Sequence, residues 1–91
     1  MTEDEAFIRT LVDSPGDDTP RLAYADWLDE QGDPRGHYLR AETRIMRQWR
    51  DTRDFGVLLR GMAQLGERGA SLDPVWSARV SRSPSSSLER R

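Results

Sequence analysis

The 91-residue chain contains no cysteine, which excludes disulfides and thiol chemistry, and with a single histidine the usual Cys/His zinc sites cannot form. It also lacks any long apolar run, and its amino terminus, MTEDEAFIRT, is acidic. Neither a signal peptide nor a membrane span is expected, and a cytoplasmic location follows as the default. Lysine is missing too: all 14 basic residues are arginine. GC-rich genome composition accounts for that bias as readily as the suitability of guanidinium for bidentate contacts does. Large apolar residues are scarce, with Leu, Ile, Val and Phe together numbering 17. One thin core is therefore expected, in which three Trp and two Tyr supply much of the buried area. Docking to a partner or to a second copy would add stability to such a chain.

The charge that is present is unevenly placed. Residues 1 to 33 hold ten Asp or Glu against two Arg, whereas residues 34 to 91 hold six acids against twelve Arg. Such a division points to two halves that fold against each other, or to one half that faces an anionic partner.

Helix signals punctuate the chain at short intervals. Thr2 with Glu5 forms a capping-box pattern, and Phe7, Ile8, Leu11 and Val12 recur at helical spacing, predicting a first helix over 3–13. Ser14-Pro15-Gly16 breaks it. Thr19-Pro20 reads as an N-cap followed by proline at the first helical position, and Gly32 as the left-handed cap that ends the second helix. Asp33-Pro34 restarts the chain as a third helix, over 34–52, with Tyr38, Leu39, Ile45, Met46 and Trp49 on one side and Arg40, Arg44 and Arg47 on the other. Glu42 falls on the apolar side and needs a partner there, such as an Arg or a Tyr hydroxyl. Asp54 caps a fourth helix through Phe55, Leu58, Leu59, Met62 and Leu65, weakened by Gly56, Gly61 and Gly66. Asp73-Pro74 opens a short fifth with Val75, Trp76 and Val80. No strand-like alternation persists, so the fold class is all-α, a small irregular bundle of four to five short helices. The helical domain is expected over 1–80, and SRSPSSSLERR, residues 81–91, reads as a disordered tail.

Several groups of residues bear on chemistry. Asp26, Asp29, Glu30 and Asp33 line one side of the second helix and could hold a hard cation. They lack the Asp-x-Asp-x-Asp-Gly loop that wraps calcium, and a solvated face or one paired with the arginines of helix three is the better reading. His37 has no nucleophile and orienting acid assigned to it by sequence, and Gly56, Gly61, Gly66 and Gly69 follow no phosphate-binding pattern. No enzyme, metal or cofactor is expected. The arginine stripe, Arg40, Arg44 and Arg47 with Arg50 and Arg53 at its edge, is the feature best able to bind a partner. It could track phosphates, yet the acidic balance of the chain argues against a dedicated nucleic-acid binder.

The run Asp18-Thr19-Pro20-Arg21-Leu22-Ala23-Tyr24-Ala25-Asp26-Trp27-Leu28-Asp29-Glu30-Gln31-Gly32-Asp33-Pro34-Arg35-Gly36, followed by Leu39-Arg40, closely resembles the hallmark of the bacterial repeat-companion domain. That family is recognised by a D-x-P-R-L-x-Y-A-D-W-L-E-E-x-G-D-P-R core. The resemblance covers residues 1–45, leaving 46–80 as a helical extension, and Leu72-Asp73-Pro74 with Trp76 and Val80 also looks like a segment that follows this module. Asp29 stands where the family usually has Glu, which keeps the charge. The resemblance implies a small module found beside leucine-rich or other repeats, with no established activity. With no repeat array in these 91 residues, a partner in trans is expected.

The motif residues Arg21, Tyr24, Asp26, Trp27, Leu28, Gly32, Asp33 and Pro34 suit a structural clamp. Tyr24 and Trp27 are expected between helices one and three. Arg21 is expected to reach Asp26, Glu42 or a helix C-terminus, and Asp26 to accept from a backbone N–H or from Arg35. The functional expectation is a non-enzymatic protein-interaction or adaptor module that contacts another protein through Arg40, Arg44, Arg47, Arg50 and Trp76, together with apolar residues left exposed on helix four. The alternative is a nucleic-acid-binding accessory factor using the arginine stripe. A homo-oligomer through helices three and four is a third possibility.

Overall fold

A computed structural model describes residues 2–81; the expected tail, from residue 82 on, lies outside the described residues. Five helices follow one another without a strand among the described residues: α1 (Glu3–Asp13), α2 (Asp18–Glu30), α3 (Arg35–Thr52), α4 (Phe55–Gly69) and α5 (Pro74–Val80). None is long and apolar enough to cross a membrane.

Short polar side chains start nearly every helix by taking up backbone N–H groups that have no intrahelical partner. Thr2 Oγ1 accepts from the Glu5 amide at 3.1 Å, Asp54 Oδ1 from Val57 at 3.1 Å and Asp73 Oδ1 from Val75 at 2.9 Å. The reciprocal half of the capping box is replaced, because both Glu5 carboxylate oxygens accept from Arg79 of α5 instead, at 3.1 and 2.6 Å. The start of α2 departs from the sequence expectation: Asp17, not Thr19, is the cap, its Oδ1 accepting from the Thr19 amide at 3.0 Å. Pro20 thereby sits third in the helix, where its missing N–H costs nothing because the first turn has no carbonyl to offer it.

The α2–α3 corner carries out what Gly32-Asp33-Pro34 implies. Gly32 adopts φ +69°, its amide bonds to the Asp29 carbonyl at 3.0 Å and the Asp33 amide to that of Leu28 at 2.9 Å, a Schellman closure. Asp33 then turns its carboxylate onward, accepting from the Arg35 amide at 3.0 Å. Directly after the corner, Gly36 lets α3 close on α2: a Cβ there would lie 3.0 Å from the Ala25 carbonyl oxygen and 2.3 Å from Asp29 Oδ1.

Helices α2 and α3 pack along each other, α4 lies against α3, and α1 and α5 close the remaining side of α2. The core gathers Ile8 and Leu11 of α1, Tyr24, Ala25 and Leu28 of α2, Tyr38, Leu39 and Ala41 of α3, Leu65 of α4, and Trp76 and Val80 of α5. Two glycines of α4 are contact points: a Cβ on Gly61 would come within 3.0 Å of the Ile45 side chain, and one on Gly69 within 3.0 Å of the Tyr38 ring.

Candidate functional site

Arg21 and Glu42 are the most deeply buried charged groups among the described residues, 2% and 0% exposed. Arg21 Nη1 donates to Glu42 Oε1 at 2.7 Å and to the backbone carbonyl of Val80 at 2.7 Å. Glu42 thus finds the partner its place on the apolar side of α3 demanded. Arg21 reaches two of the three targets foreseen for it, a carboxylate on α3 and the C-terminal end of α5, where the helix dipole favours a cation.

Beside this pair lies an aromatic stack. Phe7 stacks on Tyr24 with centroids 5.1 Å apart, and Trp27 lies 5.6 Å from Phe7. On its other side Tyr24 meets Trp76, whose indole N–H donates to the Tyr24 hydroxyl at 3.0 Å. Tyr24 and Trp27 are therefore packed against α1, and Tyr24 is closed off by α5, rather than both lying between α1 and α3. Helix α3 contributes Tyr38, which meets the Trp76 ring edge-on at 5.6 Å. Arg35 lays its guanidinium over the Trp76 ring, 5.3 Å from the centroid, while bonding to Asp33. Burial and the Asp4 carboxylate push the Tyr24 phenol well above its ordinary pKa, and burial raises that of Tyr38. The Arg35 guanidinium holds the Asp33 carboxyl below the usual carboxylate range.

Trp76, offered by the sequence as an anchor for a partner, is 4% exposed. It is a core residue, held by an indole hydrogen bond, two tyrosine rings and a guanidinium. Val75, 68% exposed, faces outward with Pro74, Ala78 and Arg79.

The arginine stripe meets the acidic first half. Arg40 bonds to both Asp26 and Asp29, and Asp18 accepts from Arg47 at 3.1 Å and from Arg50 at 2.5 Å. Asp26 consequently pairs with Arg40 rather than with Arg35. Arg44 is exposed. Glu30 and His37 are also exposed, with His37 beside Asp29, Gly32, Asp33 and Pro34 in a shallow hollow of about 220 Å³.

At the α3–α4 corner the chain exposes apolar surface. Phe55 and Leu59, one turn apart on α4, are 61% and 55% exposed. Trp49 meets the Phe55 ring edge-on at 6.3 Å, and the Arg53 guanidinium lies 5.3 Å from the Trp49 centroid. Arg53 itself takes the left-handed conformation, φ 54°, as the C-cap of α3. The sequence pattern groups Phe55 and Leu59 with the buried Leu58 and Leu65. The angular offset of Phe55 and Leu59 from Leu58 and Leu65 on a helical projection is the signal that separates the two pairs.

No family model, no curated protein and no solved structure matches this chain.

Proposed function

We infer that the chain is a non-enzymatic protein-interaction module of the repeat-companion type, and that its contact surface is the α3–α4 corner. The observation that carries this reading is the pair Phe55 and Leu59, two large apolar side chains more than half exposed on adjacent turns and bordered by Trp49 and Arg53. Aromatic and arginine side chains next to apolar ones, as here, are the residue types that most often dominate binding energy at protein interfaces. The arginine stripe supports the alternative, a nucleic-acid accessory factor, less well. Arg40, Arg47 and Arg50 are already engaged with Asp26, Asp29 and Asp18, so phosphate contacts would first have to displace those carboxylates.

Capture from native lysate at low and moderate salt tests the two readings side by side, using the wild type, Phe55→Ser/Leu59→Ser and Arg44→Glu/Arg47→Glu. A protein retained by the wild type and the arginine variant at both salts, and lost from the Phe55/Leu59 variant, is the expected result. Nucleic acid that elutes with salt and is lost from the arginine variant would replace this reading with the alternative. Identical capture by all three proteins would overturn both.

A further inference from the structure

The motif residues Arg21, Tyr24 and Arg35, together with Tyr38, converge on one object, helix α5. A helix of 7 residues is far below the length at which an isolated helix holds together in water, so its seat gives α5 its form. That seat buries Trp76 and Val80, yet much of its grip is polar and directed. The Trp76 indole donates to the Tyr24 hydroxyl, Arg35 covers the indole face, the Val80 carbonyl accepts from Arg21, and the Tyr38 and Ser81 hydroxyls bond at 2.7 Å.

Apart from Tyr38, each seat residue is also fixed by a partner outside α5. Glu42 holds Arg21, Asp4 and Phe7 hold Tyr24, and Asp33 holds Arg35. A surface braced in this way has its aromatic and polar groups held in place by partners other than the helix, beside the aliphatic Ile8 and Leu11 of α1 in the same core. Groups held in place beforehand need not be ordered anew when a helix docks, which favours its binding.

We propose that Arg21, Tyr24, Arg35 and Tyr38 form a binding site for a short helix that carries an indole and presents its last backbone carbonyl to Arg21. Helix α5 occupies this site as a ligand in cis, and the same segment of a second copy of the chain can take its place. The site is separate from the α3–α4 corner, so neither reading depends on the other.

The probe is a fluorescein-labelled peptide of Leu72–Ser81, followed by anisotropy against the full chain. In the wild type the tethered α5 competes at an effective concentration in the millimolar range, so full-chain Trp76→Ala, which takes the indole out of the seat, is expected to bind the peptide about tenfold tighter or more. A peptide with alanine in place of its tryptophan should bind neither protein. Equal binding of the peptide by wild type and variant would overturn the proposal. So would loss of the helical circular dichroism of α1–α4 in the variant, since α5 would then be part of one cooperative core. Hydrogen exchange on the unaltered chain is an independent test: α5 amides are expected to exchange through local opening, faster than those of α2 and α3. Equal protection in all three helices would also overturn the proposal.

Discussion

The two ends of α3 sit in different kinds of surroundings. Around its first half, α1, α2 and α5 enclose stacked rings and a fully buried ion pair, and polar atoms find partners across four helices. Toward its second half the start of α2 reaches it through the Asp18 ion pairs. There α4 packs on it through the close approach at Gly61, and large apolar side chains are left in water. The acidic first third of the chain supplies counter-charges along the whole of α3, but the Phe55 and Leu59 side of α4 has no comparable cover among the described residues. A thin core has been concentrated where geometry matters most, and the surface left unfinished is the one proposed to meet a partner.

That contrast can be broken most severely at the buried pair. Arg21→Ala leaves the Glu42 carboxylate without its counter-charge in the interior and should cost about 3–5 kcal/mol in urea unfolding. The double replacement Arg21→Met with Glu42→Leu should recover most of that loss, because it removes both charges together. Gly36→Ala comes next, at about 1–3 kcal/mol, since its methyl would press on the Ala25 carbonyl and push α3 off α2. A recovery of stability by trimming Asp29 in the Gly36→Ala background would show that the side chain, not the backbone, sets the penalty.

Titration probes the same region without mutation. The chain has two tyrosines, and both have raised folded-state pKa values. Their contribution to stability is therefore fully present below the unfolded tyrosine pKa of about 10 and is lost as pH rises beyond it. Absorbance at the phenolate band should rise at a higher pH in the native protein than in the unfolded chain, and together with loss of helix. A separate rise at the ordinary tyrosine pKa, with helix intact, would contradict the buried placement of the rings. Asp33 has the opposite sign: its folded-state pKa is lowered, so its contribution is present above the unfolded aspartate pKa and disappears as pH falls through the folded one. Acid unfolding of Asp33→Asn should accordingly be less steep than that of the wild type. At the small end, Leu59→Ser should change stability by no more than about 0.5 kcal/mol; a larger loss would mean that α4 is more tightly integrated than its exposure shows.

Much of the fold is legible because this sequence marks its helix starts with Asp or Thr and its tightest corner with Gly32, and each of those residues acts through its own backbone neighbourhood. The starts of α1, α4 and α5 follow from Thr2, Asp54 and Asp73 alone. Thr19-Pro20 misleads because proline is tolerated throughout the first turn, so its position fixes a helix start only to within a few residues. The need of Glu42 for a partner is readable from helical angles, and so is the pull between the acidic and arginine-rich parts of the chain. Which arginine takes which carboxylate is not, since Asp18 serves both Arg47 and Arg50 through a packing of α2 on α3 that no local pattern encodes. Trp76 shows the same limit. On a two-turn helix every residue is near both solvent and core, and only the approach of Tyr24, Tyr38 and Arg35, all from much earlier in the chain, decides that it is buried.

The two partners of Arg21 lie 21 and 59 residues away from it. Bringing Arg21 to Glu42 therefore closes a much shorter loop than bringing it to the Val80 carbonyl. The ion pair carries the lower loop-closure cost, and seating α5 carries the higher one. One guanidinium thus ties a short-range closure of α2 on α3 to a long-range closure of α2 on α5.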